Sequence, residues 1–542
     1  MQSFRPARRI RSAVLGLAVL ALAVGVGAAL ADDGGGDPQP VDFSHNAFNA
    51  PAPVTGAVFG SSPSVKTGTA ICTTATSNAA NVNTDCEGQT TTSGGPHNET
   101  SIAVNPTNPD NMIGGANDYQ LALNPAGQTS ETILSRAHVT FDGGKSWANY
   151  PVFSTSTWQA TGDPALAFDA AGNAYYGTLG FRFVGSSATN PDVLVSTSPD
   201  GGKTWDTHVI AAGSGNEGSV GDLLDKEYVA AWGNGNAIVT YGDFRLGQRG
   251  SFVSAQIYAS VTHDAGVTWS TPQVISGSLD EAFVAVPAVA ADGSIYVAFL
   301  NTTDLNTGRD DYEVVRVDPA TGTALTAPTK VATVIDGATD YPIAFGRQTY
   351  QDSVFRSWAA GNITADPTNA QHLAVVWSDM RNSQLPAPSD PYSAKTNSDV
   401  IVSESFDGGA HWTAPTAVAL RGDQFMPWGA FDAGGVLRIG TFDRSYDRKN
   451  HKYGYTLLTE SSKGFAAQQV TTTLSDPTTG DRWFARTVNA KFPNATAFLG
   501  DYSNIAAAPG GGVVAYWTDM REQACFGGSC RSGEDAYFAR VG

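Results

Sequence analysis

From residue 97 onward, short apolar runs alternate with polar turns, and the runs have the length and composition of β-strands. One unit recurs: an apolar strand, a turn, a second strand, a variable loop, a third strand and another turn. The first turn is rich in Gly, Asp, Asn and Pro, as in residues 169–173 and 291–294. The pattern predicts an all-β protein made of repeated antiparallel sheets.

Seven first strands can be aligned by the residues at which they start, which we take as Glu99, Asp163, Asp225, Val286, Trp358, Met426 and Asp501. Their mean spacing of about 67 residues suits a four-stranded propeller blade. The seventh unit ends after its third strand, at residues 535–540, so we expect a strand from before residue 99 to complete it. Such closure removes exposed sheet edges. The prediction is a β-propeller of four-stranded antiparallel blades, with seven blades favoured and six as the alternative.

The turn after the third strand carries a motif: Asp, a Gly two residues on, then a hydroxyl residue or His, then Trp. Asp accepts hydrogen bonds from turn N–H groups, and Gly supplies positive φ. The Trp is expected to pack between neighbouring sheets. Degenerate copies occupy residues 318–322 and 460–464, and the four clear copies contain Asp142 and Trp147, Asp200 and Trp205, Asp264 and Trp269, and Asp407 and Trp412.

These four copies of Ser/Thr-x-Asp-x-Gly-x-Thr/Ser-Trp resemble the Asp-box, or BNR, repeat of sialidases and their relatives. The resemblance implies that the boxes join the third and fourth strands of a blade and have a structural role. It also implies a site in which three arginines bind a sugar carboxylate, with a Tyr nucleophile helped by Glu and an Asp acid/base. The Phe-Arg-Ile-Pro motif of sialidases is absent from the repeats, and sialidases usually have six blades, so no residue-by-residue match exists.

The ligand face of a propeller is built from the loops that enter the first strands and those that leave the second strands. The first set of loops contains a group of acids and one Tyr. For a hydrolase we predict Asp163 or Glu227 as acid/base and Tyr502 as nucleophile, with Glu99 and Asp225 as substrate contacts. The alternative is that these residues merely cap the starts of strands.

The second strands end in a recurrent Asp-x-Arg, at residues 243–245, 379–381 and 519–521. One interpretation is that each Arg pairs with an Asp of its own or the next blade. The other is that the guanidinium groups converge on a cavity and hold a ligand carboxylate. The arginines proposed to bind an acidic sugar are Arg182, Arg245, Arg381 and Arg521.

The first 31 residues carry four arginines and then an apolar run that ends at Ala31, which predicts a secretory signal peptide at 1–31 and a secreted protein. An uncleaved membrane anchor is the alternative. Residues 32–95 are rich in small and polar residues and are predicted to be a flexible arm, followed by the propeller at 96–542. Loss of the four arginines would change the net charge from −19 to −23, which argues against nucleic acid or anionic membrane as a partner.

The four cysteines, Cys72, Cys86, Cys525 and Cys530, suggest two disulfides in an exported chain. Proximity favours Cys72–Cys86 and Cys525–Cys530, whereas the other pairings would tie the two ends of the chain together. No cofactor is predicted. Structural calcium is an alternative at the acid pairs Asp310 with Asp311 or Asp443 with Asp447, although neither has EF-hand spacing.

Three functions are compatible with these features. The first is a secreted, monomeric, sialidase-like glycoside hydrolase that acts on an acidic sugar or polysaccharide, with a carbohydrate or glycoconjugate as partner. The second is a non-catalytic extracellular propeller that binds glycan or protein through Trp358, Trp428, Phe425 and Tyr502. The third is a polysaccharide lyase, which needs a His beside a Tyr, and only His97 lies near the start of a first strand.

Overall fold

A computed structural model gives the fold of most of the chain beyond the predicted signal peptide. The signal peptide at 1–31, residues 32–67 of the predicted arm and Trp358 lie outside the described residues. Among the described residues, no helix has the length and apolarity needed to cross a membrane. The described ranges are 68–87, 95–123, 129–153, 157–184, 187–216, 219–304, 309–335, 343–344, 347–357, 359–384, 395–480, 485–486, 495–526 and 529–542.

Seven antiparallel sheets follow one another along the chain and form a seven-bladed β-propeller, as predicted. We number the blades 1 to 7 and letter their strands a to d from the axis outward. The strands, a to d, are His97–Val104, Met112–Leu123, Thr129–Thr140 and Ala148–Pro151 in blade 1; Ala160–Phe168, Ala174–Phe181, Asp192–Ser198 and Asp206–Ala211 in blade 2; Gly221–Trp232, Asn236–Leu246, Phe252–Thr262 and Gln273–Val274 in blade 3; Ala282–Val289, Ile295–Asp304, Arg309–Val317 and Thr329–Ile335 in blade 4; Asn362–Ala365, Leu373–Asp379, Asp399–Ser405 and Thr416–Val418 in blade 5; Gln424–Phe431, Leu437–Asp443, Gly454–Ser461 and Gly464–Gln469 in blade 6; and Asn504–Ala507, Val513–Asp519 and Asp535–Val541 in blade 7, with Val82–Asn83 as its strand d.

Short two-stranded hairpins extend some of the loops between strands. They are Phe183–Val184 with Ser187–Ala188, Ile343–Ala344 with Arg347–Gln348, Ala485–Arg486 with Ala495–Thr496, and Gln523–Phe526 with Ser529–Ser532, and a short 3-10 helix lies at Gln248–Gly250.

The segment before blade 1 closes the ring, as the incomplete seventh unit predicted. Val82 pairs with Phe538, so Val82–Asn83 becomes the fourth strand of blade 7. Cys72–Thr73 adds a fifth strand outside blade 1, where Cys72 pairs with Asn149. A disulfide joins Cys72 to Cys86. We call residues 68–87 the closing segment, because they contact the first blade and the last.

The second predicted disulfide lies in a hairpin between strands b and c of blade 7. The backbone pairs Cys525 directly opposite Cys530 in that hairpin, and Cys530 is disulfide-bonded.

The Asp-box turns join strands c and d and pack against the preceding blade. In the first box, Asp142 accepts hydrogen bonds from Ser146 N at 2.9 Å and Ser146 Oγ at 2.6 Å, and Trp147 Nε1 donates to Gly144 O at 3.1 Å. Gly144 has φ of 93°, and a Cβ there would lie 2.2 Å from the Phe538 ring of blade 7. Glycine is therefore required, because the turn is pressed against its neighbour. The Asp bonding is repeated at Asp200, Asp264 and Asp407, and the Trp bond is repeated at Trp205 and Trp269.

Strand a of five blades starts with a β-bulge, in which the pairing with strand b shifts register. A bulge adds a residue and turns its side chain in a new direction. The bulged residue has the left-handed backbone that non-glycine residues rarely adopt: φ is 53° at Glu99, 58° at Asp163, 53° at Lys226, 54° at Val284 and 49° at Met426.

The bulges correct the alignment of three blades. Lys226 and Val284, not Asp225 and Val286, are equivalent to Glu99 and Asp163. In blade 7, Gly500 has φ of 91° and lies two residues before Tyr502, just as Lys226 lies two residues before Tyr228. The residue of blade 3 that points toward the axis is therefore Lys226. The sequence alignment had assigned this position to Asp225, one residue earlier.

Candidate functional site

Lys226 lies at the centre of a buried ionic cluster at the starts of the first strands. Its Nζ is 3.1 Å from Glu99 Oε1, 2.8 Å from Asp163 Oδ2 and 2.8 Å from Asp501 Oδ2. These carboxylates come from blades 1, 2 and 7, and all four side chains are at most 3% exposed. One ammonium group thus connects four blades on the axis.

A second cation and an amide complete this cluster, which we call the Lys226 cluster. Arg356, which precedes blade 5, donates to both oxygens of Asp501, with Nε 2.5 Å from Oδ1. Asn117 donates to Glu99 Oε2 at 2.8 Å and accepts from Asp163 N at 2.8 Å. Asp501 therefore has a second cation beside Lys226, and Asn117 connects the Glu99 carboxylate of its own blade to the backbone of blade 2.

Burial raises the pKa of several acids in the Lys226 cluster and of its chain neighbours Asp225 and Glu227. Burial raises the pKa of Asp225 to about 8, and burial together with Asp163 raises the pKa of Glu99 and Glu227 well above the usual range. Burial would also raise the pKa of Asp501, but Arg356 and Lys226 hold it well below its ordinary value. Lys226 stays protonated, because Asp163 and Asp501 outweigh the effect of burial on its pKa.

Glu227 differs from the other acids because neither of its carboxyl oxygens has a hydrogen-bond partner. Its side chain is 1% exposed. Burial and Asp163 both disfavour its charged form, which raises the pKa of Glu227 well above the usual range.

Tyr502 lies against Lys226 but is not activated by it. Its hydroxyl donates to Pro164 O at 3.2 Å, and Lys226 Nζ is 5.5 Å from the centre of its ring. Burial, Glu99 and Asp163 raise its pKa well above the usual range. A tyrosine nucleophile needs a base that accepts its proton, whereas this hydroxyl is bonded to a backbone carbonyl.

The four arginines predicted to bind substrate each pair with an aspartate of their own blade. Arg381 and Arg521 bind the carboxylates two residues before them through two nitrogens each. These contacts support the interpretation that each Arg pairs with an Asp of its own blade. Among the described contacts, the guanidinium groups do not converge on a cavity. The pairs are Arg182 with Asp192 at 2.8 Å, Arg245 with Asp222 at 3.4 Å, Arg381 with Asp379 at 2.5 Å and Arg521 with Asp519 at 2.7 Å.

A cavity of about 310 Å³ runs along the axis, and the a strands form its wall. Tyr228, Trp428 and Tyr502 lie at the end that adjoins the Lys226 cluster, with ring centres 5.8 Å apart for Tyr228 and each partner. Asn504 provides an amide group, whereas the amide of Asn362 is bonded to the backbone of Gly429. Among the described residues, no carboxylate residue lines the cavity. The predicted contact Phe425 is not in the lining, because it is fully buried among aromatic residues of blade 6.

The cavity opens toward the face that carries the Asp-box turns. The last residues of Ala160–Phe168 and Gly221–Trp232 are partly exposed, whereas their first half is largely buried. Strands a and c run in the same direction, so the ends of the a strands and the box turns share one face. The predicted ligand face, at the starts of the a strands, is where the Lys226 cluster occupies the axis.

Residues that could hold a metal are found elsewhere, in blade 1. His97, Asp118 and His138 can bring one ligand atom each within 4.8 Å of one another, and Asp85 and Asp535 lie beside His97. In the acid pairs considered for calcium, Asp311 pairs with Lys330, and Asp443 accepts a hydrogen bond from Ser445.

Sequence reasoning did not single out Lys226 as the central group, or Arg356 and His138 at all. Lys226 was visible as a basic residue between two acids in an otherwise apolar strand. Arg356 carries no motif, and His138 joins His97 only because strands a, b and c of blade 1 pair in sequence.

No model of a known protein family matches the chain, and no curated protein matches it. Among solved structures, it is similar to a protein of unknown function from Dyadobacter fermentans, with 11% identity over 86% of this chain and 98% of that one and a TM-score of 0.43. It is also similar to the NanB sialidase of Streptococcus pneumoniae, with 7% identity over 80% and 83% and a TM-score of 0.41. An ulvan polysaccharide lyase is similar with 12% identity over 70% and 98% and a TM-score of 0.40. By its own structure, the chain is in the class of seven-bladed β-propellers.

Proposed function

We propose that this protein is an exported propeller that binds a carbohydrate in its axial cavity without cleaving it. The proposal rests on one observation: along the axis, the aromatic side chains and the acidic side chains occupy different places. Among the described residues, the lining of the cavity has three aromatic side chains and the amide of Asn504 but no carboxylate residue, whereas the acids that a hydrolase would use lie beyond it, in and beside the Lys226 cluster.

The size and lining of the cavity favour a sugar over a protein partner. About 310 Å³ is at the lower end of the range for small-molecule sites, and a folded partner would need a broad surface instead. Aromatic rings offer apolar area, and the amide of Asn504 can donate to and accept from sugar hydroxyls. The proposal of export is supported by the apolar N-terminal run, which is typical of a secretory signal.

Glycan-array binding of the mature chain, followed by titration of each ligand found, tests this proposal. We expect Trp428→Ala to weaken binding at least tenfold, because Trp428 lines the cavity. Trp412→Ala is the matched control, since Trp412 lies in an Asp-box turn of blade 5 and should leave the affinity unchanged. Equal loss in both variants, or no carbohydrate bound by the folded wild type, would refute the proposal.

A second function, the secreted sialidase-like hydrolase acting on an acidic sugar, is favoured by Glu227. A buried carboxyl whose pKa is raised well above its usual range has the property required of a general acid, and Asp163 would be the second carboxyl. Its test is a hydrolysis screen against sialosides, uronides and neutral arylglycosides, with Glu227→Gln and Asp163→Asn alongside. Turnover of an acidic glycoside that both folded variants abolish would establish the hydrolase and replace the binding function.

A further inference from the structure

The interior of blade 1 contains two histidines and a carboxylate that meet beneath the closing segment. His97 begins strand a, Asp118 lies opposite it on strand b, and His138 is on strand c. His97 Nε2 is 3.3 Å from Asp118 Oδ1 and 3.8 Å from Asp85 Oδ1. Asp85 belongs to the closing segment, so the group spans the blade and the segment that closes the ring.

The two imidazoles have an incomplete set of hydrogen bonds. Nε2 of His138 has no hydrogen-bond partner, and Nε2 of His97 has no hydrogen bond either, although it lies in ion-pair range of Asp118 and Asp85. Both rings are at most 1% exposed. Buried polar atoms almost always have a hydrogen-bond partner, so two nitrogens that face carboxylates without hydrogen bonds are suited to bind an ion between them.

The remaining nitrogen of His138 has the environment of a metal-binding histidine. Its Nδ1 is 2.9 Å from Thr84 Oγ1 and 2.9 Å from Tyr516 Oη. Thr84 donates its own proton to Ala536 O at 3.0 Å and can therefore accept one from the ring. With the proton on Nδ1, the lone pair of Nε2 faces the cluster, which is how second-sphere hydrogen bonds orient metal-bound imidazoles.

We propose that His97, His138 and Asp118 bind a divalent transition-metal ion, with zinc as the best match, and that Asp85 supplies a fourth ligand from the closing segment. Two imidazoles with carboxylate oxygens are a donor set suited to zinc and poorly suited to calcium or magnesium. Arg136 lies 3.8 Å from Asp118 Oδ2, the oxygen that does not face His97, and so helps to orient the carboxylate. The ion fastens the closing segment to blade 1 at the joint with blade 7.

Metal content and spectroscopy of the full mature chain test the site. After removal of metal with a chelator, we expect one equivalent of Zn²⁺ to bind and to raise Tm. Co²⁺ in its place should give the visible absorption of a four-coordinate nitrogen and oxygen site. His138→Gln and His97→Gln should each weaken Zn²⁺ binding at least tenfold.

His372→Gln is the matched control, because His372 contacts two carboxylates, Asp366 and Glu404, on blade 5. It should bind one equivalent of Zn²⁺ as the wild type does. Folded wild type that binds no Zn²⁺ and gives no Co²⁺ spectrum would overturn the proposal, even if the site variants do not fold. Unchanged affinity in folded His138→Gln would overturn it too.

Discussion

The ammonium group of Lys226 in blade 3 lies 2.8 Å from the carboxylate of Asp501 in blade 7, although the two blades are not neighbours in the ring. The contact exists because a bulge at the start of strand a turns Lys226 toward the axis. Arg356 holds the other side of the same carboxylate. Residues far apart in the sequence are therefore tied together where the blades converge.

Replacement of Lys226 by Met should strongly destabilise the propeller. The substitution leaves Glu99, Asp163 and Asp501 close together without their shared cation, and loss of one partner from a buried pair typically costs about 3–5 kcal/mol. Urea unfolding measures the change. Lys330→Met is the control, because the exposed Lys330–Asp311 pair should contribute less than about 1 kcal/mol. Comparable losses in the two variants would show that the Lys226 cluster does not stabilise the fold.

Asp225 should make the protein less stable as pH rises. Its pKa is about 8 in the folded state and about 4 in an unfolded chain. The folded state therefore keeps a proton that the unfolded state has lost, and this stabilisation is complete below pH 4 and disappears as pH rises through 8. Asp225→Asn should raise Tm relative to wild type by a few degrees at pH 8 and by little at pH 4. Asp280→Asn, at an exposed position, is the control and should show no such trend.

The Asp-box tryptophans should differ in their importance to stability. Trp147 and Trp205 are at most 1% exposed, whereas Trp412 is only partly buried. Trp205→Ala should cost about 3–5 kcal/mol in the free energy of unfolding, because it leaves a cavity between blades 1 and 2. Trp412→Ala should cost clearly less. Denaturant unfolding of both variants checks the order, and a reversed order would contradict the packing described for the boxes.

The disulfide of the closing segment should contribute more stability than the one in blade 7. Cys72 and Cys86 are 14 residues apart, and the entropy of closing such a loop corresponds to about 3 kcal/mol. The hairpin that contains Cys525 and Cys530 is shorter, with about 2 kcal/mol expected. Paired Cys→Ser variants at each site, compared by Tm and by proteolysis of the closing segment, test this. Early cleavage is expected only without the first disulfide.

The blade repeat could be predicted from the sequence because its signals are local. The Asp-box around Trp147 is a single turn, and its residue types determine its bonding wherever it occurs. The unfinished seventh unit likewise required an extra strand, although only the structure identified that strand as Val82–Asn83.

The Lys226 cluster could not be predicted from local signals. Its members come from separate blades, and their orientation depends on the one residue that each β-bulge inserts. Sequence spacing placed Asp225 at the position that Lys226 occupies, since a bulge leaves no mark on residue type when the residue is not glycine. The pairing of the predicted arginines was one of two interpretations of Asp-x-Arg, and the choice depended on distances that only the folded blade has. The meeting of His97 with His138 depended on the register of three strands.

The strand that completes the ring has a consequence for how the molecule is made. Val82 pairs with Phe538, so the segment synthesised near the beginning can dock only after the last blade exists. A chain cut short before residue 535 leaves the closing segment without a partner strand and blade 7 with an open edge. A protease that cleaves undocked strands would therefore degrade chains with an unfinished ring and spare those with a closed one. The closing segment would in this way protect only chains that contain all seven blades.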